Sequence, residues 1–298
     1  MGRALVTFIA TSGFFLSTLS FAKPTKVLVV LSSESKVEVL TDRQTSKTVN
    51  HPTGFFLSEL MVPIKALIDN GYEPVYANPK GSQAVMDKVS DSAFWFHNDQ
   101  AAYKSYRDLC EQEGLCGSGV VGAKHLLSLN AVNKGGLDSY AAVLFPGGHA
   151  PMEDLWKDKQ VGIILQHFHK QKKPTALICH APIALLSTMK DPSAFGSALQ
   201  MKDTASIQRL SKSWIYSGYT MTVFSTKEEQ QEEPGQDNVL GGYMKMYPDE
   251  ALDLAGGKVL VRAQKWQSNI VRDRELLTGQ NPFSDKAFAK TLIEMLEK

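Results

Sequence analysis

The sequence lacks an excess of either charge. Its 298 residues carry 32 Lys plus Arg against 31 Asp plus Glu, a formal net charge of +1, so there is no broad basic field for nucleic acid and no polybasic anchor for a membrane. With 43% hydrophobic and 21% charged residues, it also lacks the composition of a disordered chain and can bury one large core or two modest ones. It has no internal repeat. Cysteine is scarce: there are three residues, and an odd number leaves at least one thiol without an intramolecular partner. A small or neutral partner is expected.

What is present begins with a short positive start, Met1-Gly2-Arg3, a mostly apolar stretch from Ala4 to Leu19, and small residues around Ser20-Phe21-Ala22. This predicts a secretory signal at 1–22, cleaved after Ala22. A retained anchor is disfavoured by Thr7, Thr11, Ser12, Ser17 and Thr18 and by a length short for a bilayer. The expected protein is exported, periplasmic or secreted, free of the membrane after cleavage, with one domain over 23–298. In an oxidising compartment Cys110 and Cys116 can close a local disulfide, leaving Cys179 alone; both loop thiols can equally be free.

Past the signal, apolar runs of strand length (Lys26 to Ser32, Glu73 to Pro79, Ala141 to Pro146, Pro174 to Cys179) alternate with helical stretches (Glu59 to Asn70, about Asp154 to Lys172, and one opening near Ala181). Strands with unbroken apolar runs are buried on both sides, so the pattern predicts an α/β fold: a flavodoxin-like, open, mostly parallel sheet sandwiched by helices. The section 87–134, aromatic at Phe94-Trp95-Phe96 and Gly-rich from Gly114 to Gly122, breaks the rhythm and predicts an inserted cap. Tyr219 to Ser225 and Lys258 to Arg262 read as strands. Asn269 to Thr278 reads as a C-terminal β-hairpin turning at Arg272-Asp273-Arg274, before a final helix from about Ser284. By composition, the acidic run Glu228 to Glu233 reads as a solvated loop.

Chemistry concentrates at Leu177-Ile178-Cys179-His180-Ala181-Pro182, where a strand hands over to a helix. Such a turn exposes its residue at the carboxyl edge of the sheet, where ligands bind, and aims helix amides at the thiol, which favours thiolate. A lone buried cysteine is often just a small apolar residue; the adjacent His180 shifts that balance by offering a proton acceptor. A second strand end, Phe145-Pro146-Gly147-Gly148-His149, lets backbone N–H groups approach an oxyanion closely. No histidine follows His180; the seven are His51, His97, His125, His149, His167, His169 and His180. That excludes papain-like proteases and true glutamine amidotransferases, which place the base far downstream of the cysteine.

In this order, His51-Pro52-Thr53-Gly54 leading to Ser58-Glu59, Phe145 to His149, Ile178 to Pro182, Thr222 to Ser225 with Glu228-Glu229, and Leu276 to Pro282 resemble the ThiJ/PfpI superfamily (class I glutamine-amidotransferase-like), in its heat-shock chaperone and glutathione-independent glyoxalase III branch. The resemblance spans nearly all of residues 26–297. It implies Cys179 as nucleophile, His180 as base, Glu229 rather than Glu228 as the orienting acid, and Glu59 as a buried glutamate hydrogen-bonded to the sulfur. It also implies oxyanion and substrate contacts from Gly147, Gly148 and His149, with amides of Cys179 and His180 joining Gly148. The implied substrate is a small 2-oxoaldehyde such as methylglyoxal, converted to a 2-hydroxy acid with no glutathione or metal cofactor, and family members often form homodimers.

The family's chaperone members carry a two-histidine, one-carboxylate metal site, yet the helix from Glu59 to Asn70 holds no histidine and only Glu73 matches an acidic ligand, so no such site is expected. His167 and His169, two apart on a helix, point to different faces. Competing functions are an amidase or peptidase-like hydrolase using the same triad, and a stress chaperone or redox sensor in which Phe94-Trp95-Phe96 binds unfolded chains and Cys179 is merely oxidisable.

Overall fold

The computed structural model describes residues 1–2, 25–116 and 126–298. The expected signal and the end of the Gly-rich stretch lie outside the described residues.

The strands are β1 Lys26–Val30, β2 Lys36–Leu40, β3 Thr48–Pro52, β4 Glu73–Asn78, β5 Leu127–Ser128, β6 Tyr140–Phe145, β7 Thr175–Ile178, β8 Thr220–Met221, β9 Lys258–Val259, β10 Ile270–Asp273 and β11 Leu276–Gly279. The α-helices are α1 Leu57–Asp69, α2 Gln100–Gln112, α3 Leu129–Gly135, α4 Lys159–Gln171, α5 Pro192–Gln200, α6 Thr204–Ser211, α7 Thr226–Glu232, α8 Pro248–Leu254 and α9 Asp285–Leu296. Seven strands form one sheet in the order β10-β11-β7-β6-β1-β4-β5. All pairings in it are parallel except the β10–β11 hairpin.

The apolar runs are continuous because both faces of this sheet are covered. In β1, Val27 and Val29 join a core with Leu60, Ile64, Phe288 and Leu292 of α1 and α9, while Leu28 and Val30 join one with Ile164, Leu165 and Phe168 of α4. This is the expected open α/β sandwich with its C-terminal hairpin.

Local readings depart in four places. An antiparallel β2–β3 hairpin precedes α1 without having been anticipated. Strands β8 and β9 are two-residue stubs paired with each other outside the main sheet. The segment after Cys179 is a 3-10 helix, Ala181–Thr188, with all eight residues buried. The acidic run is not a solvated loop: Glu228 and Glu229 sit on α7 with no exposed surface.

In the section expected to be a cap, 3-10 turns at Lys88–Ser90 and Ala93–Phe96 lead into α2. Cys110 and Cys116 close a disulfide there, with Cα atoms 5.2 Å apart. Of the aromatic triplet only Phe94 is exposed, at 52%, whereas Phe96 is 2% exposed and packed on Tyr103 and Tyr106.

Candidate active site

Cys179 follows the last residue of β7 and adopts φ +63°, a left-handed conformation uncommon for a residue with a Cβ and found where surroundings over-determine it. The surroundings here are two backbone bonds: its N–H donates to Gly279 O at 2.8 Å and its carbonyl accepts from the Phe224 N–H at 2.9 Å. The sharp elbow lets adjacent side chains meet. Cys179 Sγ lies 3.2 Å from His180 Nδ1, and His180 Nε2 lies 2.7 Å from Glu229 Oε2. With Nε2–H donating to the carboxylate, Nδ1 is the free acceptor facing the thiol.

Glu229 uses its other oxygen as well, since Oε1 accepts from His149 Nε2 at 2.8 Å. The two rings lie 4.1 Å apart between centroids. Burial pushes the His149 imidazole down, but the Glu229 carboxylate outweighs it and raises the group to about 9. Burial pushes Glu229 up, and the two imidazoles more than reverse this, holding its carboxyl well below the usual range. His180 is pushed down by burial and by the charge on His149. At neutral pH the set is therefore a charged His149, an ionised Glu229 and a neutral His180.

Glu59 reaches the sulfur from α1. Its side chain is fully buried, and burial raises its carboxyl to about 8, so it carries a proton at neutral pH. Neither oxygen has a closely aligned partner; the Cys179 thiol, Asp285, the Gly147 amide and His149 are the polar and charged groups acting on it. Gly147 is the spacer between them, because a Cβ there would come 2.5 Å from both Cys179 Cβ and Glu59 Oε2. At Gly148, φ is +93° and a Cβ would meet Gly54 O at 2.1 Å.

Two expectations are corrected. The Cys179 amide is committed to Gly279 and is not available to an oxyanion. Burial pushes the thiol above its ordinary range and the Gly148 N–H opposes this only partly, so the turn's amides do not by themselves hold the sulfur ionised.

Glu228, the rival acid, does other work. It forms a capping box with Ser225 and accepts from Asn281 Nδ2 at 2.8 Å, Gln280 Nε2 at 2.9 Å and the Trp266 N–H at 2.9 Å. The Gln280-Asn281 pair of the C-terminal motif thus fixes the helix that presents Glu229.

A tight cleft of about 20 Å³ opens onto Cys179, which is 3% exposed, and is walled by Gly148, His149, His180 and the aromatic rings of Phe56, Trp95, Phe224 and Trp266. His51, Asp87 and Glu232 add polar groups to the wall. Sequence reasoning missed Asp87, Glu232 and Trp266. For Glu232 a signal existed: it is three residues from Glu229 and shares its helix face. Among the described residues, His149, His180 and Glu229 are the group whose ligand atoms, within 4.8 Å of one another, fit a metal ion; their mutual hydrogen bonds account for that proximity without one. His167 and His169 face Asp138 and Glu275 instead, outside the cleft.

A model of the DJ-1/PfpI family matches residues 49–295. The protein/nucleic acid deglycase HchA of Staphylococcus aureus strain bovine RF122 is 26% identical over 274 residues, covering 91% of this chain and 80% of the relative. The protein of the same name from Escherichia coli K12 is 25% identical over 267 residues, covering 89% and 78%. Among solved structures, glyoxalase III from Candida albicans superposes with TM-score 0.58 at 19% identity, covering 92% of this chain and 98% of its own. The Francisella tularensis Rapid Encystment Protein 24 kDa does so with TM-score 0.62 at 22% identity, covering 91% and 99%. These structures share the fold.

Proposed function

The chain belongs to the DJ-1/PfpI family, and from that premise we propose that it is a glutathione-independent, glyoxalase III-like enzyme acting on methylglyoxal or related 2-oxoaldehydes. The observation that carries this is Cys179 Sγ held between a base with a fixed tautomer, His180, and a protonated carboxyl, Glu59.

The thiol passes its proton to His180 Nδ1 as sulfur attacks the aldehyde carbon, and His180 hands that proton to the new alkoxide, giving a hemithioacetal whose oxygen faces the Gly148 and His180 amides and leaving the imidazole neutral again. The base then removes the proton from that carbon, and the electron pair moves through an enediol to the neighbouring carbonyl carbon, which is reprotonated. One carbon is oxidised and its neighbour reduced, with no outside electron carrier. The resulting thioester is cleaved by water, returning the thiol and a 2-hydroxy acid. Charged His149, beside Gly148, supports the second oxygen as it gains negative charge.

A second reading is favoured by the deglycase relatives: the same thiol attacking a dicarbonyl already condensed on a protein or nucleic acid amine. Export after cleavage at Ala22 is part of the proposal and is supported by the Cys110–Cys116 disulfide; so is a homodimer, which light scattering decides. No helix among the described residues is long and apolar enough to cross a membrane.

Incubation with methylglyoxal without thiol, following lactate, tests the main reading beside Cys179→Ser. Lactate formed by the wild type and lost in the variant is expected. Release of dicarbonyl from a glycated amine with no lactate selects the second reading, and cleavage of peptide amides alone selects a hydrolase.

A further inference from the structure

The cleft continues outward. Val89, Trp95, Glu232, Val239 and Trp266 line both the inner cleft and a wider groove of about 720 Å³ that runs past Phe94 and Phe283. The inner cleft, about 20 Å³, is filled by a three-carbon oxoaldehyde, which leaves the groove untouched.

The wall common to both spaces is aromatic and rigid. Trp266 has φ +63°, a conformation rare for a bulky side chain and a marker of functional positions. It is held there at both ends: its backbone N–H donates to Glu228 Oε1 at 2.9 Å and its indole N–H to Gln231 Oε1 at 3.2 Å. Both acceptors belong to α7, the helix that carries Glu229. Trp95 is fixed by an indole N–H bond to Val89 O at 2.8 Å and an edge contact with Phe56, ring centroids 4.9 Å apart. The two indoles meet at 5.9 Å and a 57° tilt, with Phe283 5.7 Å from Trp95. Trp266 also packs on Phe224, with ring centroids 5.6 Å apart, so the two indoles are held at the mouth with ring surface available to a flat ligand, and ring pairs favour offset and edge contacts at such separations.

We propose that Trp95 and Trp266 form a subsite for a flat aromatic substituent on the reacting dicarbonyl, so that aryl 2-oxoaldehydes are preferred over three-carbon ones. This rests on the proposed function and names its substrate class. An aryl group conjugated to the ketone is one bond from the reacting carbons, which places it against the wall that Cys179 shares with the two indoles. The chemistry is unchanged and balanced: ArCOCHO plus water gives ArCHOHCOOH, the aldehyde carbon oxidised, the ketone carbon reduced and one water oxygen retained.

Phenylglyoxal and methylglyoxal, compared by kcat/KM from initial rates without thiol, test this. The wild type is expected to favour phenylglyoxal about tenfold, the size of a good ring contact. Trp266→Ala should bring the ratio near one, mainly through KM for phenylglyoxal, and Trp266→Phe should restore most of it. Trp95→Leu gives a second route to the same ratio should Trp266→Ala not fold. Turnover of methylglyoxal with no preference for phenylglyoxal, or a preference indifferent to both tryptophans, overturns the subsite and leaves the proposed function standing. Turnover of neither substrate by the wild type overturns both.

Discussion

His149 and His180 share one carboxylate, Glu229, whose two oxygens accept from the two rings at 2.8 Å and 2.7 Å. One buried negative charge therefore does two jobs: it keeps His149 charged, and it orients His180 with its acceptor nitrogen toward the sulfur, while burial and the charge on His149 keep that second ring neutral.

Replacing that carboxylate should cost both. In Glu229→Gln an amide cannot accept from two imidazole N–H groups at once, and the buried charge on His149 loses its counterion. Unfolding stability should fall by about 3 kcal/mol, and kcat should fall by roughly 10²- to 10⁴-fold, as when an acid–base group is lost. Denaturant titration and lactate kinetics on one preparation check this; an active Glu229→Gln would remove Glu229 from the mechanism.

Glu59 ties stability to pH. Its folded-state group titrates at about 8 against an ordinary 4.5, so the native state binds the extra proton. Its contribution is fully present below pH 4.5, declines as pH rises, and is lost above pH 8, by an amount on the order of 5 kcal/mol. Glu59→Gln should flatten this decline while lowering turnover, because the amide presents no acidic proton to the sulfur. Melting curves of both proteins from pH 5 to 9 decide it: parallel curves would place the proton elsewhere.

Gly147→Ala should separate packing from chemistry. The added methyl, 2.5 Å from Cys179 Cβ and from Glu59 Oε2, has to push one of them away, at a cost of about 1–3 kcal/mol. Iodoacetamide labelling of Cys179 should change in rate while the fold, followed by circular dichroism, persists. Unchanged labelling and turnover would mean the thiol and the carboxyl do not face each other.

The sheet and the Cys179-His180 elbow were legible because both rest on local patterns, whereas Glu229 came only from the family resemblance. Unbroken apolar runs mark strands covered on two sides, and Cys179-His180 at a strand end marks an elbow. The acidic run on α7 was opaque to composition, since solvated and buried glutamates look alike until their partners, Asn281, Gln280 and the two imidazoles, arrive from residues far away in sequence. Trp266 was invisible for the same reason: its place depends on Glu228, 38 residues earlier. The thiol's surroundings were half legible, because the turn's amides are a sequence-local effect, whereas the burial that opposes them comes from the whole fold.

That last feature bears on durability. Peroxide and small disulfides consume thiolates far faster than thiols, so a sulfur whose burial disfavours its charged form, behind a slender opening, is guarded against spoilage in any surroundings oxidising enough to link Cys110 to Cys116.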